Sequence, residues 1–93
     1  MSDIFYQRVC ISDDAVTQEV EGEMVILDMQ RENYFGLDVI GTRVWELLEK
    51  HGNLNEVVAI MLNEFEVEEA QLKTDLQELL SRLIDAGLVS VED

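Results

Sequence analysis

The sequence predicts an α+β fold in which a three-stranded antiparallel sheet precedes three helices. Two observations support this class. Strand-like apolar segments come first, and the period of the apolar residues changes to helical spacing near Asp38. Turn signals separate the segments, with Glu21-Gly22 between two strand patterns and Gly52 after a helical one. The 93 residues contain no proline, repeat or linker, so a single domain over residues 1–93 is expected.

The strand-like segments differ in how their apolar residues are spaced. Alternation places Val16 and Val20 on one face of their strand. The continuous apolar run from Met24 to Leu27 is typical of a central strand that is covered on both faces, or buried by its two neighbours. The polar run 30–33 predicts a loop before the last strand. The strands are expected at 9–11, 15–20, 24–27 and 34–37, with a short terminal strand at 88–91.

Each helix is predicted from a start signal and an apolar stripe. Asp38 is a suitable N-cap for the first helix, and Asn53 with Glu56 is a variant of the capping box for the second. The third begins near Glu68, where Gln71 is placed to reach back to the helix start. The residues expected to be buried are Ile40, Val44, Trp45, Leu47 and Leu48, then Leu54, Val57, Val58, Met61, Leu62 and Phe65, then Leu72, Leu76, Leu79, Leu80, Leu83 and Ile84.

The charge of the chain limits its partners. With 21 acidic and 6 basic residues the net charge is -15, and the acids are spread along the whole sequence. Nucleic acids and anionic membranes are not expected to bind, because lysine and arginine are needed to displace counterions from phosphates. A partner is expected to be basic or apolar. Neither a signal peptide nor an apolar run of about 20 residues is present, so a cytoplasmic location is expected.

No residue pattern points to catalysis, a metal or a cofactor. Cys10 and His51 are single residues of their type and do not make a disulfide or a structural zinc site. The acids near Glu68 lack the spacing of a calcium loop and are favourable at a helix start. Nucleophile-elbow, P-loop and dinucleotide glycine patterns are missing. We therefore expect no catalytic, cofactor-binding or metal-binding residues.

The last predicted strand, Asn33 to Leu37, is unusual for a sheet edge. Edge strands are normally protected by lysine, proline or an inward-pointing charge, and this one has aromatic residues and Gly36 instead. An extended peptide adds readily to such an edge as one more strand. The same edge permits homodimerisation in the absence of a peptide. The alternative is that a helix or the terminal segment covers it.

The residues around this edge resemble the PqqD-like family, in particular the small partner proteins of lasso-peptide biosynthesis. The resemblance rests on I-L-D at 26–28, Y-F-G-L-D at 34–38 and G-T-R-V-W-E-L-L at 41–48. Later agreement lies in F-E-V at 65–67, D-L at 75–76, L-L at 79–80 and G-L at 87–88. The similarity spans roughly residues 8 to 90. The chain differs from the pyrroloquinoline-quinone member in its loop-to-helix stretch, so the resemblance does not fix a pathway.

The resemblance implies a winged helix-turn-helix-like domain that binds the leader segment of a ribosomally made precursor peptide. In that family the leader pairs with the third strand and packs on the third helix. The implied peptide-binding residues are Asn33, Tyr34, Phe35, Gly36 and Leu37 in the strand and Asp75, Leu76, Leu79, Arg82 and Leu83 in the helix. Alternate strand residues point to opposite faces, so either Tyr34 and Gly36 or Phe35 and Leu37 face the groove.

Charged residues of the third helix are suited to fixing the register of a leader. Asp75, Glu78 and Arg82 lie on one flank of the helical stripe, where they are placed to pair with charges on the peptide. The resemblance also implies a second partner, a peptide-modifying enzyme such as a leader peptidase, a cyclase or a radical enzyme. Catalysis would then belong to that enzyme and not to this chain.

Other functions fit the sequence less well. A winged helix suggests DNA binding, but the third helix carries many more acids than bases, with only Lys73 and Arg82 to meet phosphates. An acyl-carrier protein needs an Asp-Ser-Leu attachment site, which the chain lacks. A generic acidic protein-interaction module remains as the alternative.

Overall fold

The computed structural model describes residues 4–92, which form two small sheets and three α-helices. A short 3-10 turn at Ile4–Tyr6 comes first. The strands are β1 (Arg8–Ile11), β2 (Ala15–Val20), β3 (Glu23–Asp28), β4 (Asn33–Leu37) and β5 (Val89–Glu92), and the helices are α1 (Val39–His51), α2 (Leu54–Glu64) and α3 (Glu69–Asp85). The predicted α+β class, with a three-stranded antiparallel sheet followed by three helices, is confirmed.

The larger sheet is an antiparallel meander in the order β2-β3-β4. Two residues connect β2 to β3, and both have positive φ angles, 53° at Glu21 and 82° at Gly22. This is the turn type whose twist matches that of the flanking strands, and glycine suits its second position. The predicted turn and the central place of β3 are therefore confirmed.

Only one face of the central strand β3 is covered. Met24, Ile26 and Asp28 are buried, whereas Val25 and Leu27 are exposed. Of the two alternatives, coverage on both faces is wrong, because α1 packs on one side of the sheet and Val25 and Leu27 remain 37% exposed on the other. The central place of β3 between two neighbouring strands holds. Although the run of residues is continuously apolar, buried and exposed side chains alternate along the strand as in other half-covered strands.

The segments at the two ends of the described chain pair with each other. β1 and β5 form a two-stranded antiparallel sheet in which Val9 faces Val91. Val9 N–H also donates to the carbonyl of Gly52 at 2.7 Å, which attaches β1 to the end of α1. The expected terminal strand is thus present, and its partner is the first strand instead of the meander.

Hydrogen bonds at the N-termini of the helices confirm two of the three predicted caps. The carboxylate of Asp38 accepts from Gly41 N–H at 2.8 Å, and the side chain of Asn53 accepts from Glu56 N–H, also at 2.8 Å. The prediction that Gln71 reaches back to the start of α3 is wrong. Its amide donates instead to Asp75 Oδ1 at 2.9 Å, one turn further along the helix, and no side chain caps α3.

The core lies between the inner face of the meander and the three helices. Trp45 is buried as predicted, together with the apolar stripes of α1, α2 and α3. Four residues of these stripes were expected to be buried and are half-buried at the edge of this core, namely Leu62, Phe65, Leu79 and Ile84. Ile40 was also expected inside and is 44% exposed, because the first turn of α1 extends past the helices that cover the rest. Within residues 4–92 no helix is long and apolar enough to cross a membrane.

Candidate functional site

Within residues 4–92, β4 is an edge strand whose one partner strand is β3. Val20 and Glu23 close the two-residue turn and so form a hydrogen-bonded pair. Such pairs alternate with non-bonded pairs along antiparallel strands, so the even-numbered residues of β3 bond to β4. By the same alternation, the backbone groups of Tyr34 and Gly36 point away from the sheet. The edge therefore has donors and acceptors ready for another strand.

A cleft of about 520 Å³ runs beside this edge, between β4 and α3. Residues from the start of α1 and the end of α2 also line it. Its lining is mainly apolar, with a few carboxylates and one guanidinium at the rim. The volume is within the range of sites that bind small molecules or short peptide segments. The alternative that a helix or the terminal segment covers β4 does not hold for residues 4–92.

The structure brings together most of the residues that the resemblance implies. Lining the cleft are Phe35, Gly36 and Leu37 from β4 and Asp75, Leu76, Leu79 and Arg82 from α3. Asn33 and Tyr34 lie outside it, at the start of β4 beside Ala86 and Leu88. Leu83 is also outside, because its position on α3 faces the core, where it is fully buried.

The pleat of β4 decides which side chains face the cleft. Phe35 and Leu37 point inward and pack on the core at the cleft wall. Tyr34 points to the opposite face of the sheet, where the residue is 77% exposed. A Cβ atom at Gly36 would meet nothing within 4 Å, so this position is also open on that face. Of the two arrangements left open by the sequence, the one with Phe35 and Leu37 in the groove is present.

Several lining residues were missed by the sequence analysis. Ile40 and Val44 come from α1, Met61 from α2, Phe65 from the C-cap of α2, and Val67 from the link to α3. Four of them belong to apolar stripes that the helical period assigns to the core. Only the way the helices meet leaves part of each stripe uncovered at the cleft. Glu78, which the sequence analysis placed on the flank of α3, also lines the cleft.

The charges at the cleft are mostly negative. Asp38, Asp75 and Glu78 are lining residues, against a single cation, Arg82. The guanidinium of Arg82 lies 5.2 Å from the ring centre of Phe35, so it spans from α3 toward β4. No carboxylate within residues 4–92 forms an ion pair with Arg82. The cleft thus has apolar walls, an acidic rim and one guanidinium available to an anion.

The loop between β3 and β4 ties the strand to the far end of α3. Asp28 is buried and its Oδ1 accepts from the N–H groups of Gln30 at 3.1 Å and Arg31 at 3.3 Å. The side chain of Arg31 then crosses to Gly87, where a Cβ atom would come within 2.6 Å of a guanidinium nitrogen. Gly87 also has a φ of 77°, which favours glycine. This contact packs the β3–β4 loop against the turn that follows α3.

A larger hollow of about 780 Å³ lies elsewhere, along β1 and the end of α1. Its lining is mixed and includes Arg8, Lys50, His51 and Glu56. His51 Nδ1 lies 2.9 Å from a carboxylate oxygen of Glu56. Neither α3 nor the open edge of β4 reaches this hollow. No group of three or more metal-ligating side chains is found in the part of the chain that the structure describes.

Comparison with known proteins finds two similar solved structures. A solved structure of TbiB1 in complex with the TbiA(beta) leader peptide is 34% identical to this chain, covers 87% of it and 94% of its own length, and superposes with a TM-score of 0.83. A second, lasso peptide synthetase B1 complexed with the leader peptide, is 24% identical and shares the fold, with a TM-score of 0.74 over 89% of this chain and 98% of that one. No curated protein matches the chain.

The family model of coenzyme PQQ synthesis protein D matches residues 23–89. The match begins with β3 and continues into β5, so it contains the edge strand and every helix of the cleft. The resemblance found in the sequence is thereby confirmed. The chain belongs to the PqqD family.

Proposed function

We propose that this chain binds the leader segment of a ribosomally synthesised precursor peptide and delivers it to a modifying enzyme. The observation that carries the proposal is the open edge of β4 beside an apolar cleft. A leader would add to β4 as a fourth strand of the meander, with alternate side chains in the cleft. The solved structure of TbiB1, which is 34% identical to this chain and in complex with the TbiA(beta) leader peptide, supports the binding of a leader.

The backbone of β4 would provide affinity without reading sequence. The outward N–H and C=O groups of Tyr34 and Gly36 are the ones available to the leader. Selectivity would come from the side chains of the leader that point into the cleft. Phe35, Leu37 and Leu79 form apolar walls there, so aliphatic or aromatic residues at every second leader position would fill it.

The charges of the cleft would fix the register of the leader. A basic leader residue would be attracted to Asp75 and Glu78, and an acidic one to Arg82. Arg82 is held over Phe35, so its guanidinium is partly pre-oriented for a carboxylate. Because the acids outnumber the single cation, leaders with a net positive charge would bind more tightly.

The protein would act by tethering and not by chemistry. PqqD-like recognition elements are generally non-catalytic binding proteins. A bound leader holds the rest of the precursor at a high local concentration beside the enzyme, so a weakly bound core segment is still modified. Catalysis would belong to a leader peptidase, a cyclase or a radical enzyme. The complex would form in the cytoplasm, where the precursor is synthesised.

The proposal is tested by removing one outward N–H group. Gly36→Pro deletes this donor and places a ring at the edge, so leader affinity should fall by roughly tenfold or more. Fluorescence anisotropy with labelled leader peptides from neighbouring genes measures the affinity. Gly36→Ala keeps the N–H group and puts its Cβ in open space, so it should lose much less.

A matched control uses the opposite edge of the same sheet. By the alternation of hydrogen bonds, Thr17 on β2 also directs its N–H group away from β3. Thr17→Pro therefore makes the same chemical change at an edge that does not border the cleft, and leader affinity should stay near that of the unmodified protein. Equal affinities for Gly36→Pro and Thr17→Pro would reject strand addition at β4.

A further inference from the structure

The face of the meander that points away from the helices is apolar and uncovered. We call this surface the outer sheet face. It consists of Val16, Val20, Val25, Leu27 and Tyr34, whose side chains are between 37% and 77% exposed. The strand register places Val16 beside Leu27 and Leu27 beside Tyr34, so they form one row across three strands. Gln18 and Gly36 flank Val25 in the next row and carry no charge.

The size of this face is that of an interface centre. The area of the outer sheet face is roughly 200–300 Å², because it spans three strands spaced about 4.8 Å apart and six residues with a rise of about 3.3 Å each. A stable protein interface buries about 800 Å² on each partner and has an apolar centre with a polar rim. A partner seated here would therefore also cover the residues around the outer sheet face.

The surroundings of the outer sheet face are acidic at both ends. Glu21 and Glu23 lie at the β2–β3 turn, and Asp13, Asp14 and Glu32 lie at the opposite end of the strands. Within residues 4–92 none of these five carboxylates forms an ion pair. A complementary partner surface has an apolar centre with lysine or arginine on its rim.

We propose that the outer sheet face is the docking surface for the peptide-modifying enzyme, which meets it with an apolar patch bordered by basic residues. The identity of this partner rests on the proposed function, whereas the surface itself rests on exposure and charge. The face lies on the other side of the sheet from the cleft, so an enzyme and a leader can be bound at the same time. The leader needs the edge and inner side of β4, and the enzyme needs the outer side.

The charge distribution disfavours other occupants of the outer sheet face. A second copy of this chain would bring two sets of unpaired acids together, on molecules that each carry a net charge of -15. Like-charge contacts of this kind disfavour association. Anionic membranes and nucleic acids are repelled for the same reason. A protein surface with a basic rim both relieves the repulsion among these carboxylates and covers the apolar residues of the outer sheet face.

The test measures binding of the enzyme without the leader. The probe is the purified peptide-modifying enzyme encoded beside the gene of this chain, titrated by calorimetry. Leu27→Lys and Val25→Lys place a positive charge in the centre of the face, so enzyme affinity should fall by roughly tenfold or more. Ala59→Lys, on the exposed side of α2, makes a similar change away from the face and should leave the affinity unaltered.

Leader binding is measured separately on the same variants by anisotropy. Both lysine variants should bind the leader as the unmodified protein does, because their side chains point away from the cleft. If the unmodified protein does not bind the leader, the result counts against the proposed function alone, since the enzyme titration does not include the leader. Circular dichroism checks the fold, and Val16→Lys on the edge strand replaces any variant that unfolds.

Three results would overturn the docking surface. The first is unchanged enzyme affinity in folded Leu27→Lys, Val25→Lys and Val16→Lys proteins. The second is no measurable binding of the enzyme to the unmodified protein, with or without leader. The third is a dimer of this chain in sedimentation that Leu27→Lys dissociates, which would give the face to a second copy. Enzyme affinity that weakens as salt is added supports the basic rim.

Discussion

At the level of single residues, Thr42 has an unusual place in the hydrogen-bonding of the sheet. It is buried at the start of α1, and its Oγ1 accepts from Met24 N–H at 2.9 Å and donates to the carbonyl of Leu37 at 3.4 Å. Met24 and Leu37 face each other across β3 and β4. One hydroxyl therefore bridges this pair of strands and attaches both to the helix beneath them.

Replacing Thr42 by valine is expected to destabilise the protein by about 1–3 kcal/mol, because the buried Met24 N–H loses its acceptor. Urea unfolding followed by circular dichroism measures the change. Thr74 is the matched control, since its hydroxyl bonds Ala70 O on the exposed side of α3 at 3.1 Å. Thr74→Val should change stability by no more than about 0.5 kcal/mol. Equal effects of the two substitutions would contradict this role of Thr42.

At the level of elements, α1 and α2 are joined by an ion pair outside the core. Arg43 Nε donates to Glu64 Oε1 at 2.8 Å, and a second guanidinium nitrogen donates to the other carboxylate oxygen. Arg43 also lies near Glu46, at 3.6 Å. Hydrogen bonds from Arg43 lower the pKa of Glu64 below its usual value, and the bonds to Glu64 raise the pKa of Arg43.

This pair should make a small part of the stability depend on pH. The pKa of Glu64 is lowered in the folded state. The contribution of the ion pair to the free energy of unfolding is therefore complete above the unfolded-state pKa of Glu64, and it is lost as the pH falls through the folded-state pKa. The stability difference between the unmodified protein and Glu64→Gln should thus be largest near neutral pH and shrink below roughly pH 4. Urea unfolding at neutral pH and below roughly pH 4 measures this stability difference.

The effect is expected to be modest, since both partners are accessible to water and salt screens them. Glu66→Gln is the control, because Glu66 is exposed and forms no ion pair within residues 4–92. Its difference from the unmodified protein should vary little between the two pH values. If the stability difference between Glu64→Gln and the unmodified protein stays constant or widens in acid, the ion pair does not stabilise the fold as predicted.

At the level of the whole molecule, the excess of acids sets the behaviour in salt. With 21 acidic and 6 basic residues, most carboxylates have no cation to pair with. Their mutual repulsion destabilises the compact state more than the unfolded chain, in which the charges are further apart. The fold must therefore be held by its apolar core against a repulsion that ions in solution can screen.

Adding salt is expected to raise the melting temperature. Between roughly 10 mM and 150 mM sodium chloride the Debye length falls from about 30 Å to about 8 Å, which screens the repulsion between distant carboxylates. Differential scanning fluorimetry measures the shift, and potassium chloride at equal ionic strength should give the same result. A melting temperature that falls with salt would mean that the ion pairs outweigh the repulsion.

The sequence by itself determined the local structure. The N-caps Asp38 and Asn53, the turn at Glu21-Gly22 and the stripes of the helices depend on neighbours within a few residues, so the pattern alone predicts them. The edge position of β4 follows from its place as the last strand of a meander. The family resemblance then added most of the lining residues on β4 and α3.

Tertiary structure alone decided how these elements meet. The pairing of β1 with β5 joins segments from opposite ends of the chain, and no local pattern states it. The exposure of Ile40, the half-buried place of Phe65 and the inward side of Phe35 depend on how the helices pack against the sheet. Periodicity tells which residues share a face, but not what covers that face. The cleft exists where the covering helices stop short of β4.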